Sequence, residues 1–88
     1  MKITIGDGYS VFVSFRYNSG ATRANVEIHN VDGPLIGAVD LAQTHPNDIF
    51  CKKTGRKIAL ARALKKTWLN KEQRAKVWNG LMEKGMRV

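Results

Sequence analysis

The sequence contains one cysteine, two prolines and two histidines among its 88 residues. One cysteine excludes a disulfide within the chain and is typical of proteins from a reducing compartment. No apolar run approaches the roughly 18 residues of a membrane-spanning helix, and no signal peptide opens the sequence. We therefore expect a cytoplasmic protein that has no membrane partner.

Side chains that carry catalytic or metal-binding chemistry are scarce. A zinc site needs about four ligands at recognisable spacing, which His29, His45 and Cys51 do not supply. Cys51 follows His45 by six residues near an expected helix start, where a thiolate can be stabilised, but such a cysteine is more often a packing residue. The segment Gly6-Asp7-Gly8 predicts a tight turn and lacks the rest of a phosphate-binding fingerprint. We predict no enzymatic activity, no metal, no cofactor and no small-molecule substrate.

Acidic residues are few in the second half of the chain. Residues 1–43 carry three Lys and Arg against four Asp and Glu, a net charge of −1. Residues 44–88 carry twelve Lys and Arg against three Asp and Glu, a net charge of +9. This asymmetry favours a polyanionic partner or an acidic protein surface.

The composition predicts one small globular domain, residues 1–88, because 43% of the residues are hydrophobic and 25% are charged. Residues 1–43 alternate apolar and polar side chains with the period of β-strands, and Gly-containing turns separate the runs. Strands are predicted over Lys2–Ile5, Tyr9–Tyr17, Thr22–Val31 and Pro34–Ala42. The first half is therefore expected to form a three- to four-stranded antiparallel meander, with Asp32-Gly33 as its last hairpin signal.

The alternation also predicts which side chains share a face of each strand. The set expected to face the core is Tyr9, Val11, Val13, Phe15, Tyr17, Ala24, Val26 and Ile28. In the last strand, Leu35, Gly37, Val39 and Leu41 share one face. Phe12 interrupts the polar face of its strand, so it either packs under a neighbouring side chain or belongs to a binding surface.

Residues 46–85 predict two helices joined by a short link. Pro46 suits the first helical position and Asp48 suits the first turn. Asn70 and Gln73 give the capping-box pattern that begins the second helix, and Gly85 is expected to end it. The predicted apolar faces are Phe50, Leu60, Ala61, Leu64 and Trp68 in the first helix and Ala75, Val77, Trp78, Leu81 and Met82 in the second. We predict an α+β, two-layer domain in which a C-terminal helical hairpin covers one face of the meander.

A basic strip follows one side of the first helix. We define the basic helix strip as Lys52, Gly55, Arg56, Ala59, Arg62, Lys65 and Lys66. Its two small residues would leave a shallow surface that another backbone can approach, and its cations would neutralise phosphates or acidic side chains. The alternative is a solvated face in which Gly55 only lets the helix bend. The sheet face left uncovered by the helices is the second candidate surface, with Phe12, Arg16, Arg23 and His29.

The segment HPNDIFCKKTGRKIALARALKK resembles a segment of a group of short tailed-phage proteins, in which Ser-Pro-x-Asp-x-Phe leads into Gly-Arg-Lys-Ile-Ala-Leu-Ala-Arg-Ala-Leu. The matching residues are Pro46, Asp48, Phe50, Gly55, Arg56 and Lys57, with His45 at the Ser position. The later Glu72-Gln73-Arg74 and Val77-Trp78 are also similar to the end of those proteins. The resemblance covers the second half and implies no established activity, but it implies a phage-type protein in the cytoplasm of a host cell.

Two functions are therefore expected. The first is a small phage-type accessory protein that binds stoichiometrically to a host protein–nucleic-acid complex, as an anti-CRISPR-like inhibitor does. The second is a protein that binds DNA or RNA directly with weak sequence specificity, since the helix carries Lys and Arg and no base-reading pattern. The sequence names neither the host target nor an oligomeric state.

Overall fold

The structure is a computed structural model, and it describes residues 1–18, 20–43 and 52–85. Pro46, where the first helix is expected to begin, lies outside these residues. The same is true of His45, Asp48, Phe50 and Cys51, so the predictions for them stay predictions. Within the described ranges, no helix is long and apolar enough to cross a membrane.

The chain forms a four-stranded antiparallel sheet followed by two helices, which confirms the predicted α+β class. The strands are β1 Lys2–Gly6, β2 Tyr9–Asn18, β3 Ala21–Asn30 and β4 Gly33–Gln43. They pair in the order β1-β2-β3-β4, so consecutive strands are neighbours and β1 and β4 are the edges of the described sheet. The helices are α1 Lys52–Lys65 and α2 Lys71–Glu83. Helix α1 packs across β3 and β4, and α2 packs against β1.

Tight turns set the register of the meander. Gly6 pairs with Tyr9, and the two residues between them, Asp7 and Gly8, have φ angles of 55° and 78°. Positive φ at both positions is the geometry of a type I′ hairpin turn, which follows the twist of the strands. The turn of the last hairpin lies one residue earlier than predicted. Asn30 pairs with Gly33, so Val31 and Asp32 occupy that turn.

One face of the sheet holds the core. Its buried strand residues include Ile3, Ile5, Val11, Val13, Thr22, Ala24, Val26 and Ile28, with Tyr9 and Phe15 partly buried beside them. This confirms the predicted inward set of β3 and most of that of β2. Tyr17 is the exception, because it lies near the end of β2 and stays 40% exposed.

Helix α1 packs on the sheet through Leu60 and Leu64, as predicted, and through two alanines, Ala59 and Ala63. The prediction that Trp68 is buried is wrong, since its side chain is 47% exposed. The helix ends at Lys65, so Trp68 lies in the following turn and leaves the buried face. Its ring makes a T-shaped contact with the Tyr9 ring, with centroids 5.1 Å apart.

Strand β4 places three of its four larger apolar side chains outside the core, and only Ile36 packs against it. Leu35, Val39 and Leu41 do share a face, but that face is turned away from the helices and each side chain is exposed. The helix-facing side holds Ala38 and Ala42, both buried. Small residues in β4 and in α1 let the helix lie close to the sheet, since they leave little side-chain volume between the two backbones.

Helix α2 begins with the predicted capping box. The Gln73 N–H donates to Asn70 Oδ1 at 2.8 Å, and the Asn70 N–H donates to Gln73 Oε1 at 2.9 Å. Val77 and Leu81 are buried and Trp78 is partly buried, as expected. Ala75 and Met82 are exposed, so the apolar face of α2 is narrower than predicted.

Candidate functional site

The basic helix strip does not form one exposed surface. Ala59 is fully buried in the core, and Gly55 is half-buried. The small residues that were expected to admit a foreign backbone therefore lie on the side of α1 that this chain's own sheet covers. The side chain of Lys52 lies outside the part of the chain that the structure describes.

Two cations of the strip bind the outer edge of β4. Arg62 Nη1 donates to the main-chain oxygen of Leu41 at 2.9 Å, and Lys66 Nζ donates to that of Val39 at 3.1 Å. Lys66 Nζ also lies 3.4 Å from Asp40 Oδ2. We call Val39, Asp40, Leu41, Arg62 and Lys66 the β4 edge cluster. It satisfies two edge carbonyls that strand pairing leaves open, which hinders pairing with another chain there.

Asp40 completes this cluster through the backbone. One of its carboxylate oxygens accepts a 2.7 Å hydrogen bond from the Leu41 N–H. That hydrogen bond is the main cause that lowers the pKa of Asp40 below its ordinary value of 3.8, and the nearby charges of Lys66 and Arg62 act in the same direction against partial desolvation. Asp40 is therefore ionised at neutral pH and holds the two cations at the sheet edge.

A third cation of the strip also contacts the sheet. Arg56 Nη1 donates to the Tyr17 hydroxyl at 3.0 Å, which joins the first half of α1 to the end of β2. Three of the predicted binding cations thus have partners within the chain. Lys65 differs from them because it lines a different surface.

The helices form a groove that sequence reasoning missed. We define the helix groove by its lining residues Ala61, Leu64, Lys65, Lys71, Arg74, Ala75 and Trp78. Its volume is about 290 Å³. Lys71, Arg74, Ala75 and Trp78 are spaced by three or four residues, so they follow one side of α2. This spacing was a usable signal, but the pairing of that side with Ala61 and Lys65 depends on how the two helices meet.

The arrangement of the helix groove suits an extended anion. Lys65 and Lys71 are exposed, while Arg74 and Trp78 are half-buried, so charged heads surround an apolar floor. Cations at such a surface can neutralise phosphates, and the half-buried indole offers a ring on which a base can stack. The groove therefore combines the two interactions that bind single-stranded nucleic acid without base-specific readout.

The sheet face that the helices leave uncovered, the open sheet face, brings the second candidate set together in two clusters. Phe12 and His29 are neighbours with ring centroids 4.5 Å apart. Arg16 and Arg23 pair directly across β2 and β3. His29 Nε2 lies 3.5 Å from Glu27 Oε2 without the geometry of a hydrogen bond.

The open sheet face is also more apolar than the sequence suggested. Phe12 and Val39 line a shallow groove of about 520 Å³ with the polar Asn25 and Glu27 between them. Leu35 and Leu41 lie on the same face and are exposed. This surface mixes apolar and polar groups, which is typical of a surface for a protein partner rather than for a polyanion.

Among residues 1–18, 20–43 and 54–85, no three His, Cys, Asp or Glu side chains are grouped so that they can hold a metal ion. No protein-family model, curated protein or solved structure matches the chain. The site is therefore defined by its geometry and charge.

Proposed function

We propose that this protein is a non-enzymatic, phage-type accessory protein that binds stoichiometrically to a host nucleic-acid machine and inhibits it, as an anti-CRISPR protein does. The observation that carries the proposal is the separation of charge between the two layers. Residues 52–85 contain eleven Lys and Arg and two Glu, a net charge of +9, whereas residues 1–43 sum to −1. The phage origin is supported by the resemblance of the helical segment alone.

A layered charge distribution suits a target that contains both protein and nucleic acid. The helix layer would be attracted to bound nucleic acid or to the acidic surface that mimics it, and electrostatic attraction raises the rate of encounter. The open sheet face then offers exposed apolar side chains, Phe12, Val39 and Leu41, for contact with protein. Such a protein inhibits by occupying a surface, so it needs no catalytic group.

A second candidate function is direct binding of DNA or RNA, and the helix groove favours it. Lys65, Lys71 and Arg74 surround Trp78 within one groove. Contacts of this kind depend on phosphates and on the faces of bases, so they bind with weak sequence specificity. In this case the affinity for a bare oligonucleotide should be strong enough to account for the function without any protein target.

The two functions separate in a pull-down from host lysate with and without nuclease. Under the leading proposal, a protein complex stays bound after nuclease treatment, and its nuclease or binding activity falls in proportion to added protein until about one copy per complex is present. Partners that all disappear on nuclease treatment would support direct nucleic-acid binding. Capture of a protein whose activity is unchanged at saturation would contradict inhibition.

The helix groove has its own spectroscopic test. Trp68→Phe leaves Trp78 as the only tryptophan, because the chain contains two. If nucleic acid enters the groove, the fluorescence of Trp78 should change on titration with oligothymidylate in this variant. The matched Trp78→Phe variant, which keeps Trp68, should show a much smaller change. Equal changes in both variants would place the nucleic acid elsewhere.

A further inference from the structure

The two edges of the sheet differ in how the helices cover them. At β4, Arg62 and Lys66 donate hydrogen bonds to main-chain oxygens of the strand. At β1, the edge borders a groove of about 600 Å³ between the strand and α2. We define the β1 edge groove by its lining residues Lys2, Ile3, Thr4, Lys76, Asn79, Gly80, Glu83 and Lys84.

The hydrogen-bond pattern shows which groups of β1 face this groove. Met1 and Val13 exchange two main-chain hydrogen bonds, both of 2.8 Å. Hydrogen-bonded and non-hydrogen-bonded pairs alternate along an antiparallel ladder. Ile3, two residues on, therefore turns its N–H and C=O toward β2, while Lys2 and Thr4 turn theirs toward the outer edge. No described strand pairs with that edge.

The helix side of the groove leaves room beside these groups. Gly80 packs so closely on Ile3 that a β-carbon there would clash with the isoleucine side chain. Because Gly80 has no side chain, it adds no bulk to the wall of the groove. Lys76 Nζ reaches the main-chain oxygen of Ile5 at 3.4 Å, a long contact at the far end of the strand.

The charge of the β1 edge groove determines which kind of extended segment can pair with β1. Lys2, Lys76 and Lys84 oppose the single acidic residue Glu83, so the lining carries a net charge of +2. A second copy of β1 would bring another Lys2 and the lysines of its own α2 into the same place, which is unfavourable. An extended segment with carboxylates would instead pair with the lysines.

We propose that the β1 edge groove binds an extended, acidic segment of a partner protein, which adds to the sheet as a fifth strand. Main-chain groups of Lys2 and Thr4 form the ladder, and Lys76 and Lys84 bind carboxylates on the side of the strand that faces α2. This is recognition by strand addition, in which backbone hydrogen bonds give affinity and side-chain pockets give specificity. It goes beyond the proposed function, which assigns no contact to this edge of the sheet.

The probe is an end-capped eight-residue peptide in which Glu and Thr alternate, added to the whole protein. Amide hydrogen exchange measured by NMR should slow at Lys2 and Thr4 when the peptide is added. The same peptide with alternate backbone nitrogens methylated should give no protection, because it cannot complete the ladder. A peptide in which Lys replaces Glu should not bind.

Two pairs of variants test the contacts. Thr4→Pro removes an edge N–H without removing a bond to β2, and it should weaken binding about fivefold or more, the equivalent of one hydrogen bond. The matched control is Gly37→Pro, because the Gly37 N–H faces the outer edge of β4, and this variant should bind the peptide normally. Lys76→Glu with Lys84→Glu should weaken binding about tenfold. Lys84→Glu alone should already weaken binding, whereas Lys57→Glu makes the same change of charge on α1, away from the three grooves, and should have little effect.

Thermal unfolding establishes that each variant is folded before its affinity is compared. Three outcomes would overturn the proposal. One is binding that Thr4→Pro leaves unchanged in a folded protein. Another is equal weakening by Lys84→Glu and Lys57→Glu, which would mean general attraction to a basic protein. The third is protection of Thr4 that rises with protein concentration without peptide, which would identify a second copy as the occupant.

Discussion

Arg62 Nη1 donates a 2.9 Å hydrogen bond to the main-chain oxygen of Leu41, and this contact joins the last turn of α1 to the outer edge of β4. Arg62, which the charge pattern predicts to bind a partner, thus covers part of the open edge of the sheet. Edge strands expose unpaired N–H and C=O groups and are prone to pair with other chains. The cations of α1 therefore have a structural role beside any role in recognition.

Arg62→Ala should test that structural role. The loss of one exposed hydrogen bond from a charged group should lower the free energy of unfolding by about 0.5–1 kcal/mol. The uncovered edge of β4 should also increase self-association, which light scattering and size-exclusion chromatography detect. Lys57→Ala, an exposed cation on the same helix, is the control and should change neither quantity. If the two variants behave alike, Arg62 does not protect the edge of β4.

The pKa of Asp40 gives the β4 edge cluster a pH dependence. Because hydrogen bonding by the Leu41 N–H lowers this pKa below 3.8, the carboxylate stabilises the folded state fully above that value. The contribution is lost as the pH falls below 3.8 and through the lower pKa of the folded state. The difference in unfolding free energy between the protein and Asp40→Asn should thus be constant above about pH 5 and shrink below pH 3.8. A difference that stays constant down to pH 2 would contradict this assignment.

The core of the helix layer depends on Leu64, which is 1% exposed. Leu64→Ala should lower the unfolding free energy by about 2–5 kcal/mol, because it removes buried surface and leaves a cavity. Urea denaturation followed by circular dichroism measures this change. The neighbouring Lys65→Ala is exposed and should stay within about 0.5 kcal/mol of the unmodified protein. Similar losses in the two variants would mean that this side of α1 does not pack on the sheet.

Close packing of α2 on β1 can be tested at Gly80. Alanine favours a helix over glycine by about 1 kcal/mol. Here the added methyl group would collide with the side chain of Ile3, so Gly80→Ala should instead destabilise the protein by about 1–3 kcal/mol. In an Ile3→Ala background the collision is relieved, and the same substitution should cost less or stabilise. A double-mutant cycle measures this coupling, and its absence would show that the two residues do not touch.

Sequence patterns identified the strands and the buried Leu60 and Leu64 because each has a strong local signal. Other features depend on tertiary packing. β4 carries apolar side chains on both faces, and alternation cannot tell which face the helix will cover. The outer set, Leu35, Val39 and Leu41, is larger, yet α1 packs on the alanines. Trp68 was placed on the buried face because the periodic pattern continues past Lys65, where the helix ends.

The candidate site was harder to derive than the fold for the same reason. Charge spacing on α1 gave one strip, but the sheet turned Arg62 and Lys66 toward β4 and enclosed Ala59. The helix groove combines Lys65 with Lys71 and Arg74 from another helix, so it requires the geometry of the helical hairpin. Charge spacing alone places these cations on α1, but it does not show which of them contact the sheet.

The helix groove itself should decide where a polyanion binds. Lys65→Glu with Lys71→Glu reverses two exposed charges, and the glutamate at position 71 lies at the helix N-terminus, where a negative charge is favourable. Stability should therefore change little. Affinity for single-stranded DNA should fall strongly, and the slope of log affinity against log salt should decrease by about 0.7 for each cation that contacted a phosphate.

The control must change the net charge by the same amount elsewhere. Lys57→Glu with Lys84→Glu does so at two exposed positions that do not line the groove. It removes the same long-range attraction, so the difference between the two pairs isolates the local contacts. Fluorescence anisotropy over a range of salt concentrations, together with thermal unfolding of both variants, measures them side by side. If both pairs weaken binding equally, the nucleic acid responds to overall charge and the groove is not its site. If neither pair weakens binding to the host complex, the open sheet face around Phe12, Arg16 and His29 becomes the surface that makes that contact.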